Sequence, residues 1–89
     1  MMNTIEKIRT RLTQLSPTQL DIEDDSARHA GHEGARGGGG HYFLTIVSPL
    51  FWEKSTVARH RMIYDALGEM MKTEIHALSI KAFSPEELQ

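Results

Sequence analysis

The strongest structural signal in this chain is a helical hydrophobic pattern that lies between two strand-like segments. Apolar residues recur at helical spacing over Ile63–Met71, and Ser55 or Thr56 is a suitable N-cap for a helix ending near the same point. His41–Val47 is rich in β-branched and aromatic residues, whereas Ile75–Phe83 alternates apolar and polar ones. Because strands joined through a helix usually pair in parallel, this order predicts an α+β fold.

Three weaker patterns complete the predicted fold. Apolar spacing over Ile5–Leu15 predicts a first helix, with Asn3 as its N-cap. Gln19–Asp24 alternates apolar and acidic residues and predicts a strand that pairs antiparallel with His41–Val47. Ser84–Glu87 has the serine, proline and acids of a short terminal helix. The expected architecture is a three-stranded mixed sheet with helices packed on one face, in a single domain over residues 1–89.

Composition excludes several classes of protein. A net charge of −2 argues against a chain that binds nucleic acid through its whole surface. The chain contains no cysteine, so it cannot form a disulfide, a thiol nucleophile or a thiolate metal site by itself. No segment has the length and apolar character of a membrane span or a signal peptide, and a cytoplasmic protein is expected.

Among the reactive residue types, histidine is over-represented in this chain, with five residues. The glycine-rich loop between the first two predicted strands contains His29 and His32, and His41 begins the second strand. His60 lies near the start of the long helix, and His76 lies at the start of the third strand. Neutral imidazole binds zinc, copper, iron or nickel, but these residues are equally consistent with solvated or hydrogen-bonded histidines.

Strand alternation places His76 on the same face as Leu78 and Ile80, at the end of the strand where it meets the edge of the core. The spacing of the histidines alone does not define a closed set of four metal ligands. A self-sufficient histidine site for zinc or copper is therefore the weakest of the functional hypotheses.

The start of the long helix carries a cluster of basic residues: Lys54, Arg59, His60 and Arg61. Such a cluster at a helix N-terminus is suited to phosphate and predicts nucleic-acid contacts. The alternative is that these residues have a structural role and hold neighbouring acidic loops against the start of the helix.

The chain has neither a Gly-x-Ser-x-Gly nucleophile motif nor a Gly-x-x-x-x-Gly-Lys phosphate loop, and it is expected not to be an enzyme.

Three segments in order, Ser48–Phe51, Arg59–Leu67 and Ile75–Ile80, closely resemble the BolA-like family. The resemblance extends over nearly the whole chain and implies the order α-β-β-α-α-β-α. That order is similar to class II KH domains, with an additional short helical turn around Lys54. Glu53 stands where the family typically has glycine, and an altered turn is expected there.

The resemblance also implies a function. BolA-like proteins share a [2Fe–2S] cluster with a monothiol glutaredoxin and glutathione, in cluster trafficking or in iron and stress regulation. His76 matches the family's histidine ligand, and His29 matches the second ligand best, with His32 and His41 as alternatives. The isolated chain is expected to hold no cofactor and to be a monomer or a weak homodimer.

The resemblance leaves a second function open, because bacterial members are also described as DNA-binding regulators of morphology and stress response. Lys54, Arg59, His60 and Arg61 are the residues that this alternative would use. It predicts an affinity that falls steeply with salt, since the first contacts would be to phosphates.

Overall fold

The computed structural model describes residues 2–25 and 40–89. Two α-helices and three strands form its framework: α1 (Thr4–Leu12), β1 (Gln19–Asp24), β2 (Gly40–Val47), α2 (Thr56–Leu67) and β3 (Ile75–Phe83). A short 3₁₀ turn follows α1 (Thr13–Leu15) and another precedes α2 (Pro49–Phe51). Two more follow α2 (Gly68–Met71) and β3 (Pro85–Leu88). This order confirms the predicted α+β class.

The helix starts are set by side chains that accept hydrogen bonds from unpaired backbone amides. The side chain of Asn3 accepts from the N–H of Glu6 at 2.9 Å, and that of Ser55 accepts from the N–H of Ala58 at 3.0 Å. α2 ends at Gly68, whose φ of 55° is a conformation that side chains rarely adopt. Both N-caps agree with the sequence prediction.

The sheet is mixed and β2 is its central strand. β1 pairs with β2 antiparallel, and β2 pairs with β3 in parallel. One face of β2 is buried through Tyr42, Leu44 and Ile46, whereas Phe43 on the other face is exposed. The helices therefore cover one side of the sheet, as expected, and the other side is open along its middle.

The hydrophobic core lies between the helices and the sheet. It contains these buried side chains: Ile8, Leu12, Leu15, Tyr42, Leu44, Ile46, Phe51, Ile63, Ala66, Leu67, Met70 and Ile75. In the connection from β2 to α2, Phe51 is fully buried in this core, whereas the next residue, Trp52, is 50% exposed.

The connection from β2 to α2 differs from expectation in the position of its helical turn. The short helical turn lies at Pro49–Phe51, just before Lys54 and not around it. Glu53 has a φ of 64°, a left-handed conformation that suits glycine better than the glutamate that occupies this position. The expected alteration of this turn relative to the family stays a prediction.

Among the described residues, no helix has the length and apolar character needed to cross a membrane.

Candidate functional site

His41 lies on the open face of the sheet, near the first residue of β2. Its neighbour Tyr42 is buried in the core, and side chains alternate along a strand, so the imidazole of His41 lies on the opposite side. The ring is half-buried, and its Nε2 atom is inaccessible to solvent.

His76 is brought to the same end of the sheet by an irregularity in β3. Gly40 pairs with Ile75 and His41 pairs with Ala77, so His76 is an extra residue in this strand. Ile75 is 2% exposed and takes the core position, whereas His76 is exposed. The predicted placement of His76 on the face of Leu78 is therefore wrong, because a β-bulge interrupts the alternation.

The bulge places the two imidazoles side by side. The ring centroids of His41 and His76 are 5.0 Å apart, and the rings are inclined at 45°. Two imidazoles bound to one tetrahedral metal ion, with metal–nitrogen bonds near 2 Å, have ring centres about 5 Å apart. The separation is therefore compatible with two imidazoles on one metal ion, and His76 is the more exposed ring of the pair.

Two backbone hydrogen bonds and one ion pair hold this end of the sheet. The N–H of Gly40 donates to the carbonyl of Glu74 at 3.0 Å, and the N–H of Asp25 donates to the carbonyl of His41 at 2.7 Å. The carboxylate of Glu74 also accepts a 2.7 Å hydrogen bond from Lys7 in α1. A Cβ atom at position 40 would lie 2.6 Å from the hydroxyl oxygen of Tyr42 and 2.7 Å from its ring, so any other residue there would displace this buried tyrosine.

The other proposed ligands, His29 and His32, lie outside the described residues. Within the described part of the chain, no group of three or more histidine, cysteine, aspartate or glutamate side chains could hold a metal ion. A metal ion bound by His41 and His76 would therefore need further ligands from outside the described residues.

Arg59, at the basic start of α2, points into the protein. It is 8% exposed, and its Nε donates to the carbonyl of Lys54 at 3.0 Å. Its Nη1 donates to the carbonyl of Ala82 at 2.9 Å, and the carboxylate of Glu87 accepts two more hydrogen bonds at 2.6 and 3.1 Å. These contacts match the structural alternative for Arg59 and leave it poorly placed to meet a phosphate.

Glu87, the partner of Arg59, was not identified from the sequence as a residue of interest. Hydrogen bonds from Arg59 and from the backbone N–H of Ser84 lower the pKa of this carboxyl from 4.5 to about 2. The available signal was the spacing of Ser84 and Glu87, which is that of a capping box.

The other three basic residues lie at or near the protein surface. Lys54 and Arg61 are exposed, and His60 is half-buried with its ring 6.3 Å from that of Tyr64 in an edge-to-face arrangement. This smaller patch is compatible with phosphate contacts, and its use for nucleic acid stays a prediction.

Comparison with known proteins finds relatives whose sequences match nearly the whole chain. Residues 12–87 match the family described as BolA-like protein. SufE-like protein 1 (chloroplastic/mitochondrial) of Arabidopsis thaliana is 47% identical over 88 residues, which are 92% of this chain and 24% of that protein. Protein BOLA1 (chloroplastic) of the same plant is 40% identical over 89 residues, or 96% and 56% of the two chains. The chain thus spans about a quarter and just over half of these two relatives' lengths.

A bacterial relative covers more of its own length. The DNA-binding transcriptional regulator BolA of Escherichia coli (strain K12) is 32% identical over 83 residues, which are 92% of this chain and 76% of that protein.

Solved structures agree with the sequence matches. BolA1 from Arabidopsis thaliana superposes with a TM-score of 0.83 at 40% identity, covering 98% of this chain and 97% of the other. The BolA domain of SufE1 from the same plant has a TM-score of 0.82 at 44% identity, with 98% and 99% covered. Since the family match, the sequence relatives and the fold all agree, this chain belongs to the BolA-like protein family.

Proposed function

We propose that this protein is a non-enzymatic adaptor that shares a [2Fe–2S] cluster with a monothiol glutaredoxin. The observation on which the proposal rests is the pairing of His41 and His76, with ring centroids 5.0 Å apart, in a chain that contains no cysteine. The plant relatives, among them the BolA domain of SufE1, support a role linked to iron–sulfur clusters.

The ligand chemistry explains why a partner is needed. Iron–sulfur clusters are held by four cysteine thiolates or, in Rieske centres, by two thiolates on one iron and two imidazoles on the other. This chain supplies imidazole only, so the thiolates would come from the glutaredoxin cysteine and from glutathione. Because imidazole binds a metal only when neutral, binding of the cluster would weaken as the pH falls.

His76 and His41 are the ligand pair that the described geometry favours. His76 is exposed at the bulge and reaches a partner directly, while His41 lies behind it. His29, which matches the family pattern best, is the alternative second ligand, and His32 is the next. The experiment below distinguishes among these residues.

The test is anaerobic assembly with a monothiol glutaredoxin, glutathione, ferrous iron and sulfide, followed by visible absorption and circular dichroism. We expect a heterodimer spectrum that differs from the spectrum of the glutaredoxin homodimer. His76→Ala should abolish it, and loss in His41→Ala, His29→Ala or His32→Ala identifies the second ligand. His60→Ala is the matched control, because this histidine lies on α2 and should leave the spectrum unchanged.

An unchanged homodimer spectrum with the wild-type protein would contradict the proposal. So would a heterodimer spectrum that survives in His76→Ala, since cluster sharing would then use other ligands.

A second candidate function, DNA binding, is favoured by the name of the Escherichia coli relative. In this chain, DNA binding would depend on Lys54, His60 and Arg61, since the buried guanidinium of Arg59 donates to the carbonyl of Ala82. DNA retention should then fall steeply with salt and be weakened by Arg61→Ala, while His76→Ala leaves it unchanged.

A further inference from the structure

The open face of the sheet has an exposed aromatic residue at its centre. Phe43 lies in the middle of the central strand and is 42% exposed. It borders a shallow groove together with Glu23, Ser79 and Lys81 from the neighbouring strands. A single exposed apolar residue is not by itself a docking site, so any interaction at this face depends on how the charges are arranged around Phe43.

The charges on this face are divided between its two edges. The strand register forms two rows across the sheet, Glu23–Phe43–Ser79 and Asp21–Thr45–Lys81. The acids therefore lie on β1, and the cation lies on β3. Within the described part of the chain, Lys81 forms no ion pair.

This division of charge makes the face complementary to itself. When two sheets pack face to face about a two-fold axis parallel to the strands, β1 of each copy lies over β3 of the other. Asp21 then faces the Lys81 of the second copy, Phe43 faces Phe43, and each charge pair occurs twice. An axis perpendicular to the strands would instead place Glu23 over Glu23, which is unfavourable.

We infer that the open face of the sheet is a homodimer interface, in which two copies pack about a two-fold axis parallel to β2. The inference does not rest on the proposed cluster sharing, because its contacts involve Asp21, Phe43 and Lys81, although His41 lies farther along the same face. Nucleic acid is a poorer occupant of this face, since two carboxylates accompany its one lysine and would repel phosphates.

The experiment is sedimentation equilibrium from micromolar to millimolar protein at low ionic strength. A chelator is included so that metal bridging through histidines cannot contribute. We expect reversible dimerisation that Lys81→Glu or Asp21→Lys weakens by about tenfold or more in Kd, since each change acts twice in a symmetric dimer. The double variant Asp21→Lys with Lys81→Glu should restore dimerisation, because it exchanges the two charges.

Lys72→Glu is the matched control, since this exposed lysine lies outside the sheet and its reversal should leave Kd unchanged. Far-ultraviolet circular dichroism and thermal unfolding establish that each variant is folded.

A protein that stays monomeric at millimolar concentration overturns the inference, and so does dimerisation that the single charge reversals leave unchanged. Failure of the double variant to restore association excludes the pairing of Asp21 with Lys81. Tight binding of a single-stranded oligonucleotide that Phe43→Ser abolishes would assign the face to nucleic acid instead.

Discussion

The guanidinium of Arg59 and the carboxylate of Glu87 are joined by two hydrogen bonds, from Nη1 to Oε1 at 2.6 Å and from Nη2 to Oε2 at 3.1 Å. The arginine side chain is 9% exposed and the glutamate side chain 40%, so the cation is the buried member of the pair. Through the carbonyls of Lys54 and Ala82, the same guanidinium also joins the start of α2 to the end of β3. The pair therefore connects the start of α2 and the end of β3 with the terminal turn.

Replacing Arg59 with leucine should destabilise the protein. The change leaves the carbonyls of Lys54 and Ala82 without their donors, and a loss of about 2 kcal/mol in the free energy of unfolding is expected. Arg61→Leu is the control, because the side chain two residues away is exposed, and its effect should be within about 0.5 kcal/mol. Urea unfolding followed by circular dichroism measures both, and equal losses would contradict a structural role for Arg59.

The low pKa of Glu87 predicts a specific loss of stability in acid. Its folded pKa of about 2 lies below the ordinary 4.5, so its contribution is complete above pH 4.5 and is lost as the pH falls toward 2. Glu87→Gln should therefore be less stable than the wild type at neutral pH, and the difference should shrink across this window. Urea unfolding at a series of pH values tests this, and a difference that is constant with pH would be inconsistent with it.

Glu53→Gly should stabilise the protein. Glu53 has a φ of 64°, and this left-handed conformation costs a side chain about 1–2 kcal/mol, part of which the greater freedom of unfolded glycine offsets. A net gain of about 0.5–1 kcal/mol in unfolding free energy is expected. Glu53→Ala removes the charge but keeps the Cβ atom, so an equal gain in that variant would assign the effect to charge and not to the backbone.

Ser48 makes a buried polar connection between the 3₁₀ turn after α1 and the turn before α2. Its hydroxyl donates to the carbonyl of Leu15 at 2.6 Å and accepts from the N–H of Leu50 at 3.1 Å. Ser48→Ala should cost about 1–2 kcal/mol, because the carbonyl of Leu15 loses a donor at a buried position. Ser79→Ala, on the exposed face of β3, should be nearly neutral in the same thermal or urea unfolding experiment.

The regular elements could be predicted because local patterns determine them. The bounds predicted for Gln19–Asp24 and Ile75–Phe83 agree with the observed strands, and those for His41–Val47 differ by one residue. The long helix was expected to end near Met71, but α2 stops at Leu67 and continues as a 3₁₀ turn. Gly68 explains that change, since its conformation breaks the α-helical hydrogen bonding.

The candidate site was predicted less completely, because it depends on an irregularity. Alternation along β3 assigned His76 to the core face, although the apolar residues Ile75 and Leu78 are three apart and cannot share a face without an extra residue between them. That spacing was the signal of the bulge. The closeness of His76 to His41 follows from strand register, which a single sequence does not specify for a parallel pair.

The parallel pairing of β2 with β3 has a consequence for how quickly the chain reaches its native state. Gly40 and Ile75 are partners although α2 and its flanking turns lie between them, so the sheet closes only after a long segment has folded back. Such non-local contacts slow folding, and mixed α/β domains are slower than helical bundles of similar stability. Core truncations such as Ile63→Val should therefore slow refolding in stopped-flow measurements, whereas Glu87→Gln, at the chain terminus, should mainly accelerate unfolding.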